Sequence, residues 1–266
     1  MPPPIPPPTR LLITSLGNPP PLYADTLHSA GHTTLSALRV LLSYPEFTPA
    51  QSLGLATSRA GGGWASRSIG EIGVGWGGGY KGYGSGGTGA DDWTLYMSGS
   101  LMNTSGPAVK GVWERWRRAG ERMALQAQTQ AQRESGAGTG GARIRERLVV
   151  LHDELEAPLG KVSVRRGGVG ARGHNGMRSI LSAFNFPPPS SSQNNPQIKK
   201  PSPKSSSSSK TPDLTRISIG ISRPPTRDSD AVARYVLRKM TGEEKAAIEG
   251  AAVEVLGVLR RLCDEE

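Results

Sequence analysis

Two short runs constrain the fold of this chain more than any other feature: LLITSL at 11–16 and LVVL at 148–151. A strand that is apolar along its length, rather than at alternate positions, has both faces covered, which in water means an interior strand with helices above and below it. Both runs stop abruptly, the first at Gly17-Asn18-Pro19-Pro20-Pro21 and the second at His152-Asp153-Glu154. Polar residues just beyond interior strands lie where open α/β sheets place their sites.

Helical spacing fills the intervals. From about Thr26 the pattern of Leu35, Leu38 and Leu42 predicts a helix with His28 close to its start. WTLYM (93–97) alternates like a strand, and after a turn containing Asn103, Ser105-Gly106-Pro107 opens a helix with Val109, Val112, Trp113 and Trp116 on its apolar face. Residues 161–164 read as a strand, and Met177, Ile180, Leu181 and Phe184 as a helix with His174 and Asn175 at its N-terminal edge. RISIGI (216–221) is a further strand, Val232, Tyr235, Val236 and Met240 mark a helix, and Thr241 with Glu244 forms a capping box for a closing helix. The alternation predicts one α/β domain: a twisted, mixed, mostly parallel central sheet flanked by helices on both faces.

Three tracts stand outside this pattern. Residues at about 60–90 are dominated by glycine, with 69–76 as the one strand candidate; 120–142 could extend the helix before them but have no clean apolar stripe; and 187–213 are Pro, Ser, Asn and Lys. Hydrophobic residues make up only 35% of the 266, against 35 Gly and 22 Pro, so these tracts are expected to be flexible insertions in a domain spanning 11–266, behind a proline-rich lead at 1–10.

The formal net charge of +10 points to a polyanionic partner and leaves nucleic acid and a membrane surface both open. No stretch approaches the roughly 18 apolar residues of a membrane span, so a soluble intracellular protein with no membrane partner is expected. The single cysteine, Cys263, excludes an internal disulfide and a multi-cysteine metal site.

Familiar site types fall away in turn. No GxSxG elbow and no GxxxxGK[ST] phosphate loop is present. GVGARG (168–173) matches GxGxxG, but the acid of a dinucleotide site, expected about 20 residues later, is replaced by the Pro/Ser tract. His28 and His32 are spaced like metal ligands on a helix, yet the Glu of the zinc-protease motif is missing between them. No metal and no cofactor is expected, and His32 reads as a surface or packing residue. What remains is Asn18, His28, Asn103, Asp153 and Asn175, at the ends of elements that can share one sheet edge. A histidine oriented by an aspartate activates water, and amide side chains orient substrate or stabilise an oxyanion without adding charge. Taken singly, an Asn in a glycine-proline turn such as Asn18 is more often a turn former, Asp153 more often a cap or ion-pair partner, and Asn175 more often an N-cap.

At these positions the sequence closely resembles the bacterial-type peptidyl-tRNA hydrolase family. Leu16-Gly17-Asn18-Pro19 with Tyr23, Thr26, His28 and Gly31 is similar to its first motif, Met102-Asn103 with Ser105-Gly106 to its second, His152-Asp153-Glu154-Leu155 to its third, and Gly173-His174-Asn175-Gly176 to its fourth. The resemblance implies hydrolysis of the ester between a peptide and the 3′ end of tRNA. It makes His28 the base for the attacking water and Asp153 its orienting acid. Asn18 and Asn103 would position peptide and terminal adenosine, Asn175 would hold the water or oxyanion, and Tyr23, Met102 and His174 would line the pocket. Of the family's basic pair for tRNA phosphate, Arg166 falls where one member is expected; Ser218 falls at the other, with Arg216, two residues earlier on the same strand face, as its substitute. Arg165, Arg172, Arg178, Lys199, Lys200 and Lys204 add to the basic set. The chain departs from the family's usual residues beside the base, at Leu27 and Ser29, and at Ala171. A monomer acting in the cytoplasm is expected, with mitochondria as the alternative compartment. The competing readings are an RNA-binding adaptor that has lost catalysis, as in chloroplast splicing factors resembling the family, and a hydrolase of small esters or amides.

Overall fold

The first apolar run lies at the centre of the sheet, as its composition requires. In the computed structural model, which describes residues 9–56, 62–67, 92–135, 144–168, 170–187 and 211–265, strand β1 (Thr9–Ser15) is buried throughout. It is flanked in parallel by β4 (Asp92–Ser98) and β5 (Arg145–Glu154), and β5 pairs in parallel with β7 (Asp213–Gly220). The margins are antiparallel: β2 (Thr48–Pro49) and β3 (Gly63–Arg67) continue outward from β4, while β6 (Val162–Arg166) lies against β7. The order is β2-β3-β4-β1-β5-β7-β6. The sheet is mixed as expected; parallel pairing is confined to its four central strands and is matched, pair for pair, by antiparallel pairing at the edges.

Alternation along the strands divides the core in two. Leu11, Ile13, Val149, Leu151, Ile217 and Ile219 face α1 (Ala30–Leu41) and α5 (Gly242–Asp264). Leu12, Tyr96, Leu148, Val150 and Leu214 face α2 (Ser105–Ser135) and α3 (Asn175–Ala183). Each fully buried Leu or Ile contributes about 1.5–3 kcal/mol relative to exposure, so the sheet is anchored from both sides and its carboxyl-end loops are free to carry chemistry. The capping box that opens α5 is complete: Glu244 N–H donates to Thr241 Oγ1 at 3.2 Å, and Thr241 N–H to Glu244 Oε2 at 2.8 Å.

The second tract takes the helical option as far as it is described. Its residues as far as Ser135 continue α2 without a break. Ala, Gln, Glu and Arg have high intrinsic helix propensity and carry the helix without an apolar face, leaving Met123 and Leu125 exposed. In the first tract, β3 pairs antiparallel with β4 across the glycine-rich segment, while the strand candidate at 69–76 lies outside the described residues. The lead at 1–8 and nearly all of the third tract, including Lys199, Lys200 and Lys204, also lie outside them. Among the described residues no helix is long and apolar enough to cross a membrane.

Candidate active site

The carboxyl ends of β1 and β5 are held against the start of α1 by a close approach that only glycine permits. A Cβ on Gly31 would lie 2.7 Å from the carbonyl oxygens of both Leu16 and Leu151. The 3₁₀ turn Leu27–Ser29 that leads into α1 is thereby pressed onto the strand ends, and His28 reaches Asp153 near the end of β5.

His28 Nδ1 lies 3.0 and 2.9 Å from the two Asp153 carboxylate oxygens, and His174 Nε2 lies 2.9 Å from Oδ1. His174 is the N-cap of α3, its Nδ1 accepting from Met177 N–H at 3.2 Å. That bond fixes the tautomer: the His174 proton is on Nε2 and is donated to Asp153. The His28 proton on Nδ1 is donated likewise, which leaves its Nε2 lone pair to accept a proton. His152 donates from Nδ1 to the Asp153 carbonyl at 2.8 Å and stands edge-on to the His174 ring at 4.9 Å.

Charge in this cluster is settled by proximity. Burial alone would raise the Asp153 pKa, but the adjacent His174 and His28 imidazoles, through electrostatic attraction and hydrogen bonds to the carboxylate, hold it well below the usual carboxylate range. Burial would lower His28; the Asp153 charge and hydrogen bond together outweigh it, and its pKa is raised above 6.5. Burial and the neighbouring His174 push His152 down to about 3. Asp153 is therefore ionised and His152 neutral at any ordinary pH. Ligand-type atoms of His28, Asp153 and His174 lie within 4.8 Å of one another, but a metal ion there would displace both imidazole–carboxylate hydrogen bonds.

Asn18 is buried in the loop after β1 and lines neither the main cleft nor the groove adjoining it; its Oδ1 accepts from Met102 N–H at 2.8 Å, which leaves the amide NH₂ to donate. Met102 is buried in the 3₁₀ turn Met102–Thr104, packed where a Cβ on Gly176 would otherwise sit. Asn103, next in that turn, is exposed and opens on a groove of about 350 Å³ shared with Asn175, Arg178 and Ser179. Asn175 also borders the main cleft and so joins the two. Tyr23 is half-buried before the first 3₁₀ turn; its carbonyl accepts the Thr26 and Ser29 hydroxyls, each at 3.1 Å, and it lines neither groove.

The main cleft, of about 600 Å³, has His28, His152, Asp153 and His174 among its lining residues. One wall is α4 (Ser229–Leu237), through Val232, Val236 and Leu237; the other carries Arg165, Arg172, Arg216 and Arg223. Arg216 is 5% exposed and donates to the Gly170 carbonyl at 2.7 Å. Arg165 is its direct partner on the β6–β7 ladder. Burial, then the charges of Arg165 and Arg172, lower the Arg216 pKa, with Glu154 opposing them. Of the positions expected to meet phosphate, Ser218 lines the cleft two residues from Arg216, whereas Arg166 does not: it lies on the other sheet face, ion-paired with Glu265. Sequence reasoning overlooked the ring of His152 and the α4 wall. The wall had a signal, an apolar stripe at helical spacing, but spacing alone does not tell a core-facing stripe from a cleft-facing one.

The structure is thus that of an α/β protein whose strand ends carry a carboxylate-held histidine beside an arginine-walled cleft, an arrangement suited to general-base chemistry on an anionic substrate. A family model described as peptidyl-tRNA hydrolase matches residues 140–187. The chain is 27% identical over 241 residues to the peptidyl-tRNA hydrolase of Saccharomyces cerevisiae, covering 88% of this chain and 86% of that protein. It is 33% identical over 157 residues to that of Rubrobacter xylanophilus, covering 56% and 74% respectively. The crystal structure of peptidyl-tRNA hydrolase from Acinetobacter baumannii superposes with a TM-score of 0.55 at 21% identity, over 95% of this chain and 87% of that one, a likeness of fold. The chain belongs to the peptidyl-tRNA hydrolase family.

Proposed function

We propose that this chain hydrolyses the ester between a peptide, or an N-blocked aminoacyl group, and the 3′ end of tRNA, with His28 activating water. The observation that carries the reading is that the His28–Asp153 pair opens into the same cleft as Arg216 and Arg165. His28 Nε2 takes a proton from water as the oxygen attacks the ester carbonyl. The tetrahedral oxyanion is stabilised by the side-chain amide of Asn175, while Asn18 and Asn103 would position the peptide and the terminal adenosine. Collapse breaks the bond to the ribose oxygen, which takes the proton back from the His28 imidazolium, so the base is regenerated. Asp153 stays ionised and holds the ring through Nδ1, while His174 lines the pocket beside it and Met102 packs against Gly176 behind it.

The arginine wall serves the nucleic-acid part of the substrate. Arg216 is buried among like charges, so a phosphate entering the cleft relieves repulsion as well as forming charge-assisted hydrogen bonds. The apolar face of α4 suits the uncharged part of the ligand. Single-turnover release of peptide from a diacylaminoacyl-tRNA by wild type and His28→Ala tests the proposal. Rapid wild-type release that is lost in the variant is expected; salt-sensitive tRNA binding without release would sink the enzyme reading and favour the adaptor.

A further inference from the structure

Two side chains of the proposed site leave the core on different segments, Asn18 on the loop after β1 and His28 on the turn before α1. Their separation is set by whatever joins the end of β1 to the first turn of α1. Inside that junction His32, 7% exposed, is hydrogen-bonded through Nδ1 to Ser15 Oγ at 2.8 Å. Ser15 ends β1 just ahead of the loop bearing Asn18, and His32 follows His28 by about one helical turn. The same ring fills the space a side chain at position 17 would need: a Cβ on Gly17 would lie 2.5 Å from His32 Cδ2 and 2.7 Å from Nε2. Gly17 is the residue immediately before Asn18.

We propose that His32 is a positioning residue: its bond to Ser15 and its contact with Gly17 lock the loop carrying Asn18 against the turn carrying His28. The inference rests on the reading of His28 and Asn18 given above. An imidazole is a poor choice for filling space alone, since a leucine would do so without desolvating polar nitrogens at about 1–3 kcal/mol each. What the imidazole adds is a directional bond, which fixes angle as well as distance. Burial pushes the His32 pKa down to about 4, with the Ser98 backbone opposing it only in part. The ring therefore stays neutral across the range in which the raised pKa of His28 is crossed, and the lock does not titrate with the base.

The test is single-turnover hydrolysis of a diacylaminoacyl-tRNA by the full chain, over a range of enzyme concentration and pH, with Tm measured on the same samples. The variants are His28→Ala, His32→Ala, Ser15→Ala, Gly17→Ala and the size-swapped pair Gly17→Ala/His32→Ala. His32→Ala is expected to lower the saturating rate by about ten- to a hundredfold, as misplacement on the order of 1 Å does, with little change in half-saturating concentration. The acid limb of its pH profile should stay in place, because the His28–Asp153 contact is untouched. Ser15→Ala removes only a hydroxyl, so it gives the same reading, with a smaller loss, even where His32→Ala does not fold. Gly17→Ala should cost much more alone than in the His32→Ala background, where its methyl enters vacated space. Wild-type saturating rates in both folded variants, losses that merely track the unfolded fraction, or an equal cost of Gly17→Ala in both backgrounds would overturn the proposal. If wild type cleaves and His28→Ala does not, those outcomes remove the positioning role alone. A wild type without cleavage, or a fully active His28→Ala, removes the reading of the site and this inference with it.

Discussion

Charge is buried at both ends of the central strands, and the two burials differ in one respect. At the amino end, Arg10 on β1 is 2% exposed and donates to Asp92 at 3.0 Å, to Glu146 at 2.9 Å and to the Trp116 carbonyl at 3.4 Å. Its guanidinium lies 4.0 Å from the Trp116 ring centroid and occupies the space a Cβ on Gly120 would need. Glu146 and Asp92 are held further by Arg117 and Arg67, at 2.7 and 3.6 Å. At the carboxyl end, Asp153 is also enclosed, but by imidazoles, and one of them keeps a ring nitrogen free to accept a proton. The first cluster is closed on itself and can only hold the strands together; the second keeps one valence open at a cleft, which is what chemistry requires.

The largest effect follows from breaking the open cluster. His28→Ala and Asp153→Asn should each lower single-turnover hydrolysis by folded protein by on the order of 10³–10⁴-fold. The pH dependence sharpens the point. Activity needs neutral His28, and Asp153 raises its pKa, so wild-type activity should fall as pH drops through a value above 6.5. Asp153→Asn removes the charge that raised the pKa, so the acid limb of whatever activity remains should move to lower pH. A limb that stays in place would show that another group titrates.

Next in size is the closed cluster. Arg10→Met leaves Asp92 and Glu146 beside an apolar side chain, and breaking a buried pair costs about 3–5 kcal/mol. Each carboxylate keeps a second arginine, which favours the lower end, about 3 kcal/mol in urea unfolding. Below the unfolding transition the hydrolysis rate should be unaltered. A rate loss in folded Arg10→Met protein would mean that the two ends are coupled through β1, and the division between them would fail.

How far the sequence foreshadows this contrast depends on whether a feature is set locally or by phase. The central strands, the capping box of α5 and the placement of His28, Asp153 and Asn175 at element ends were legible, because apolar runs and caps are local signals. The relation of His28 to His32 was not. Their spacing suggests a shared helix face, but His28 sits in a 3₁₀ turn, with about three residues per turn, so the two rings diverge to Asp153 and to Ser15. Arg165 and Arg166 pose a similar difficulty, since a shift of one residue along a strand exchanges its faces. The Arg10 network was invisible because its partners lie 82 and 136 residues away.

The cationic wall gives the smaller effects. Arg216→Ala and Arg165→Ala should each weaken tRNA binding about tenfold, or 1.4 kcal/mol, and lower the slope of log K against log salt by about one. Arg166 provides the control. Its alternation on β6 aims it at α5 and Glu265, away from the cleft that holds Arg165. Its ion pair is half-exposed, so Arg166→Ala should cost about 0–1 kcal/mol of stability and shift the salt slope by less than Arg165→Ala does. Filter binding of tRNA across a salt series measures both. Equal slope changes for the two variants would mean that the phosphate path continues around the edge strand to the far face of the sheet. The cleft would then be only one part of the tRNA surface.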